Sequence, residues 1–478
     1  MKTIAKDTFP EWNKAGLRHF LVDCQQAAKA EGRMKIASIS IAVKHIDPLA
    51  VLESIYDPDE LHFYCEHANL DIAVAGAEAV VKKTFSGADR CAQAKLFAQE
   101  VLAHTIAIGD LSLPFAGPHF FTALTFFNEV ESASEPFAPA TVFLPRWQVA
   151  RRQGAYCAVA NIPVTAEAPI AQLVDKVWAA HEKFIAFNYA DICKQGSAQG
   201  DLVSMREVGG ETWFEAAVAA VLRGIEAGDY QKVVLARAVD LESEQPFAPL
   251  DTLNKLRETY PACYGFSIGN GAGSSFIGAT PERLLRVDKQ QLSTEAIAGS
   301  APRGASARQD AEYARELLKS DKDMREHNFV IASIRRRLQG LGIEMEVQAT
   351  SRLIKLHNVQ HLKTPIQATM GANVHILDVV GELHPTPAVG GMPRAAACRR
   401  IAATEPFHRG LYAGTIGWFN FAGDGEFIVA IRSAWMQRKR ARLYAGVGIV
   451  DGSVPAIEKQ ETDWKLSALL APLQAQEL

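Results

Sequence analysis

Three β-rich runs follow one another near the end of the chain: YAGTIGWF at 412–419, FIVAIRS at 427–433 and RLYAGVGI at 442–449. No helical stretch separates them, whereas neighbouring parallel strands need a long crossover, usually a helix. Outward from this block, short strands are predicted near Tyr264–Ile268, Ser275–Gly278 and Leu284–Val287, and a longer one over Lys232–Leu241. Upstream, Ile36–Val43 alternates like a strand, and Thr141–Leu144 and Tyr156–Ile162 are rich in strand formers. Helical patterns cover Ala168–Phe187, Gly210–Ala227, Asp310–Leu338 and Ala456–Leu470. Strands and helices do not alternate regularly enough for a doubly wound parallel sheet, so the fold class is α+β with large, mostly antiparallel sheets. The polar stretch Lys194–Asp201 (KQGSAQGD) is the best linker candidate.

The 478 residues exceed the roughly 250–300 at which one core stops growing, which points to two domains or two fused halves. A hydrophobic content of 48% with 22% charged residues excludes long disorder. Fifty Lys and Arg against 54 Asp and Glu leave a net charge of −4 without long blocks of one sign, so no nucleic-acid or membrane-surface partner is indicated. Seven scattered cysteines without a C-x-x-C pair favour neither a disulfide framework nor a zinc site. The most apolar stretch, Leu111–Phe127, contains Pro114, Gly117, Pro118 and His119 and is too short to span a bilayer. The first residues lack an apolar signal-peptide core, so a cytoplasmic protein is expected.

Several residues invite chemistry. Lys232 sits in the apolar run KVVLARAV, where small neighbours can desolvate an amine and make it a base; a strand-end lysine reaching water is the plainer alternative. Glu282 follows the Ala-Thr-Pro turn of FIGATPERLL, either as a solvated turn residue or as an acid of raised pKa. In SDKDMREH, Asp323, Glu326 and His327 share a helix face, a pattern suited to Mg²⁺ or to ordinary surface pairing. Glu461 and Lys465 stand at i, i+4, the spacing of a plain helix salt bridge. Three glycine-dense segments, EAIAGSAPRG (295–304), HPTPAVGGMPR (384–394) and YAGVGIVDGS (444–453), argue for a backbone-lined pocket. Arg432 could clamp a carboxylate there, which suits a small polyanionic acid.

Taken in order, KVVLAR, FIGATPERLL, TEAIAGSAPRG, SDKDMREH, HLKTPI, LHPTPAVGG, YAGTIGWF, VAIRSAW, YAGVGIVDGS and ETDWKLSALL resemble the motifs of the chorismate-utilising enzymes. That family comprises isochorismate synthases, salicylate synthases, anthranilate synthase large subunits and aminodeoxychorismate synthases. The resemblance is dense over 214–470 and loose before it, where HFYCEHANLDIAVAGAEAV (62–80) is similar to an aromatic–acidic strand and Gly/Ala-rich turn. It implies two large, mostly antiparallel sheets packed as a sandwich with helices outside. Residues 1–200 would form an N-terminal lobe completing the sandwich, and 201–478 the chorismate-binding catalytic region.

Residue by residue, the resemblance implies Lys232 as general base on the attacking water and Glu282 as general acid on the departing C4 hydroxyl. It implies Glu326 and Glu461 as ligands of Mg²⁺. Arg432, Gly446 and Lys465 match positions that receive the enolpyruvyl carboxylate, and Gly299 and His384 match positions lining the ring. Within the family, Lys232 and Ala296-Ile297-Ala298-Gly299-Ser300, which lacks the nucleophilic lysine of the aminodeoxychorismate branch, favour water over ammonia. No glutaminase subunit is therefore expected. Ala388 in HPTPAVGG is similar to isochorismate synthases, whereas Tyr412 is shared with many salicylate synthases. The resemblance implies an isomerase that turns chorismate into isochorismate for quinone, siderophore or salicylate synthesis, acting as a monomer or weak homo-oligomer; salicylate synthase is the alternative.

Overall fold

The computed structural model describes residues 1–4, 13–129, 135–185, 187, 201–348, 351–355 and 359–473. Its hydrogen-bonded ladders link the described strands of both halves into one network that is almost wholly antiparallel. Among the described residues the parallel pairings are those of Thr105–Gly109 with Lys2–Ile4 and with Lys35–Ala42. The terminal block is two hairpins: Thr415–Asn420 pairs with Gly425–Val429, and Ser433–Gln437 with Arg440–Val450. Strands of the first 200 residues pair directly with later ones. His62–His67 lies against Tyr264–Gly269, and His119–Leu124 against Thr415–Asn420.

One large apolar core draws on both halves of the chain. Phe63, Phe121 and Phe143 share it with Val233, Tyr264 and Ile416. Phe63 stacks on Phe121 with ring centroids 4.3 Å apart. The run Lys232–Ser243 is buried along nearly its whole length, which explains why Val233–Val239 is apolar apart from Arg237 and shows no alternation. Linker residues 194–200 lie outside the described residues, as does Cys193; the six described cysteines are free. No helix among the described residues is long and apolar enough to cross a membrane. The apolar stretch 111–127 instead carries the buried His119–Leu124 strand.

The predicted single helix over Asp310–Leu338 is two helices, Ala307–Lys319 and Asp321–Gly340. Ser320 separates them with extended backbone, and its hydroxyl accepts from Asp323 N at 3.2 Å. A serine followed by Asp321 and Asp323 is a strong start signal, because its side chain and the acids satisfy the first orphan N–H groups and dipole. That second start aims Asp323 and Glu326 inward. Likewise the predicted strand Phe427–Ser433 is broken at Arg432, whose φ of +49° turns the chain between two strands. Tyr412 precedes its strand, in the turn closed by the bond from its own N–H to Arg409 O at 2.8 Å.

Candidate active site

A cavity of about 270 Å³ opens where the Lys232–Ser243 and Arg440–Val450 strands meet the helices Asp321–Gly340 and Pro455–Leu470. All three glycine-dense segments contribute to its wall, through Ile297–Ser300, Ala388–Val389 and Tyr444–Gly448. Each glycine has a steric reason. Gly299 bulges out of its ladder at φ +78°, with Asp323 Cβ only 3.1 Å from where a Cβ would stand. A Cβ on Gly446 would lie 2.6 Å from the Tyr412 hydroxyl. One on Gly448 would lie 2.8 Å from Cε of Lys232.

Lys232 opens its strand with 1% exposure, so its ammonium does not reach water. Its Nζ donates to Glu326 Oε1 at 2.5 Å beside Gly448. Glu282 is fixed by its backbone, which donates to Thr280 Oγ1 and accepts from Val429 N. Burial pushes its carboxyl up to about 7; Glu295 adds to the rise while Lys232, Lys465 and Arg432 oppose it. Near neutral pH such a group carries its proton for part of the time and can donate it.

Arg432 and Lys465 supply positive charge to the cavity wall. Arg432 is nearly buried, and its guanidinium lies 3.4 Å from His361 Nε2. Lys465 donates to Gly446 O at 2.9 Å and to Glu461 Oε1 at 2.7 Å. Beside them the two helices present Asp323, Glu326, Glu458 and Glu461 to the same cavity. Burial raises the Asp323 and Glu458 carboxyls, and each is raised further by a neighbouring glutamate. Crowded carboxylates of this kind suit a hard divalent cation. No group of three or more His, Cys, Asp or Glu among the described residues is gathered closely enough to cage a metal. Mg²⁺ needs only one or two protein carboxylates and fills its shell with water or substrate oxygens, so the donor set fits it.

The structure thus brings Glu282, Gly299, Glu326, Ala388, Tyr412, Arg432, Gly446, Glu461 and Lys465 to one cavity. Lys232 is not itself among the lining residues; it stands directly behind the wall, bonded to Glu326 and packed on Gly448. His384 is not among the lining residues either. Its buried ring is bonded to Ala413 O at 2.9 Å and stands behind the wall, supporting a lining residue without facing the cavity itself. His327 also departs from the shared helix face: it is fully buried, its Nε2 2.7 Å from Thr364 Oγ1. Sequence reasoning assigned no role to His361, Ser300, Gly448 or Glu458, all of which line the cavity. Gly448 was legible as the second of two glycines at strand spacing in AGVGIV. Burial, with the Arg432 and Lys465 charges, lowers the His361 pKa to about 3 and keeps its imidazole neutral.

A family model described as "Chorismate binding enzyme" matches residues 22–474. The chain belongs to this family. Among the chorismate binding enzymes it is 39% identical over 280 residues to the salicylate biosynthesis isochorismate synthase of Pseudomonas aeruginosa, covering 58% of this chain and 57% of that one. It is 36% identical over 275 residues to the isochorismate synthase MenF of Bacillus subtilis, covering 58% of each. These matches therefore span less than three fifths of the relatives' own length. The solved structure of MenF, the menaquinone-specific isochorismate synthase from Escherichia coli, superposes with a TM-score of 0.77 at 26% identity. It covers 95% of this chain and 100% of that one. Anthranilate synthase component I from Streptococcus pneumoniae, at 20% identity and a TM-score of 0.68, shares the fold. The α+β, mostly antiparallel architecture is thus that of the chorismate binding enzymes.

Proposed function

We propose that the chain is an isochorismate synthase, converting chorismate to isochorismate by adding water at C2 and expelling the C4 hydroxyl. The observation that carries this reading is that a buried carboxyl poised near pH 7, Glu282, faces a cavity that also holds Arg432 and Lys465, and that the buried Lys232 is bonded to Glu326 in the wall of the same cavity. Lys232 takes the proton of the attacking water, the double bonds shift, and Glu282 protonates the departing hydroxyl. Each transfer contributes about 10²–10⁴-fold. Arg432 and Lys465 receive the enolpyruvyl carboxylate, with the Gly446 carbonyl fixing the lysine. Glu326 and Glu461 would hold Mg²⁺, which would supply the positive charge to neutralise the ring carboxylate and orient the substrate.

Water as nucleophile needs no ammonia-supplying subunit, and Ala298 stands where a covalent lysine would be required for amination. Ala388 in the wall supports release of isochorismate over its further breakdown. Incubation with chorismate and Mg²⁺, followed by chromatographic separation, tests the reading. Isochorismate alone is expected; salicylate with pyruvate would replace it by a salicylate synthase, and an absence of turnover would overturn both.

A further inference from the structure

The edge of the Lys232–Ser243 strand opposite Arg440–Val450 is covered in two pieces. Lys232 and Val233 pair with Gly391–Met392, and pairing with Leu202–Glu207 begins only at Val239. Between them the edge amides and carbonyls would be orphaned in the protein interior, a costly condition. Val234 N is met by Gly390 O at 2.9 Å. The next two groups are met by side chains. Arg409 donates to Val234 O at 2.7 Å, and Glu405 accepts from Ala236 N at 2.8 Å.

Glu405 and Arg409 are themselves a buried ion pair, 2% and 0% exposed, joined through both carboxylate oxygens. Arg409 also donates to Val389 O at 2.9 Å, and its guanidinium carbon lies 4.3 Å from the Phe126 ring centroid and 5.7 Å from that of Tyr412. The pair therefore touches the base-bearing strand, the Ala388–Val389 wall and Tyr412 at once. It makes no bond to Arg432 or Lys465 among those described. A buried pair is weak support for stability, since desolvating two charges offsets their attraction; fixing one geometry is its better-founded use.

We propose that Glu405 and Arg409 are positioning residues, a side-chain clamp that replaces the missing strand pairing and holds the strand that sets Lys232 against Glu326 in the cavity wall. The kinetic part of this inference rests on the proposed function. The test compares the full-length wild type with Arg409→Lys and the milder Glu405→Gln, in steady-state kinetics with chorismate and Mg²⁺ and in amide hydrogen exchange. Arg409→Lys keeps the charge but lacks the fork that spans three acceptors. It is expected to lower kcat about 10- to 100-fold with KM held within about 3-fold, because displacement by about 1 Å is felt in the chemical step. Exchange should quicken over 234–238 and stay unchanged in the Ile72–Phe85 strand. Glu405→Gln, which retains an acceptor for Ala236 N, should fall between the two. Unchanged kcat in both folded variants, a KM rise matching the kcat loss, or a uniform rise in exchange would overturn the clamp. If the wild type is inert toward chorismate the proposed function falls, and the local exchange comparison decides the clamp by itself.

Discussion

Lys232 and Glu326 meet at the wall of the cavity, Nζ to Oε1 at 2.5 Å, with the lysine side chain 1% and the glutamate 15% exposed. One carboxylate thus serves both the proposed base and the proposed cation site. Glu326→Gln is expected to weaken Mg²⁺ binding at least about tenfold, measured by titration calorimetry, and to abolish turnover even at saturating Mg²⁺. Retention of wild-type Mg²⁺ affinity would remove Glu326 from the cation site.

Glu282 yields a pH prediction with a definite sign. Its pKa is raised from 4.5 to about 7 by burial, so the folded state holds a proton that the unfolded state releases. The stability tied to that proton is complete below about pH 4.5 and is lost as pH rises through about 7. Glu282→Gln removes this dependence and should gain up to ~3 kcal/mol relative to wild type at pH 8, with the gap closing below pH 5. Denaturant melts at the two pH values check it. A pH-independent difference would contradict the buried, protonated carboxyl.

The same group should shape catalysis. With Glu282 as acid, kcat in the wild type declines as pH rises above about 7, because the proton donor is lost. Glu282→Gln should bind chorismate and fail to turn it over.

Gly448→Ala places a methyl carbon 2.8 Å from Cε and 3.2 Å from Nζ of Lys232. The side chain must shift, and kcat should fall about 10²-fold with little change in melting temperature. Unimpaired turnover would show that the lysine's position is not critical.

Much of this was legible in the sequence, for physical reasons. Lys232–Ser243 and Arg440–Val450 announce themselves by β-branched and glycine-spaced runs, and the glycine-dense segments lead to the cavity because close backbone approach demands them. Less legible were features made by contacts distant in sequence. The break at Ser320 hides within a strong helical pattern, since serine is tolerated inside helices and only its cap geometry decides. His327 stands four residues after Asp323 on the helix, yet its partner is Thr364, 37 residues away. The His62–His67 strand pairs with Tyr264–Gly269 across some 200 residues, a closure that no local pattern encodes. The raised carboxyl of Glu282 likewise arises from burial that the turn Ala-Thr-Pro-Glu does not reveal.

The most direct test compares Lys232→Gln with wild type, separating the products of chorismate and Mg²⁺ by liquid chromatography and measuring chorismate binding by calorimetry. The wild type should yield isochorismate, and the variant should bind chorismate while forming none. Near-normal isochorismate formation by Lys232→Gln would contradict the assignment of Lys232 as the base that activates water.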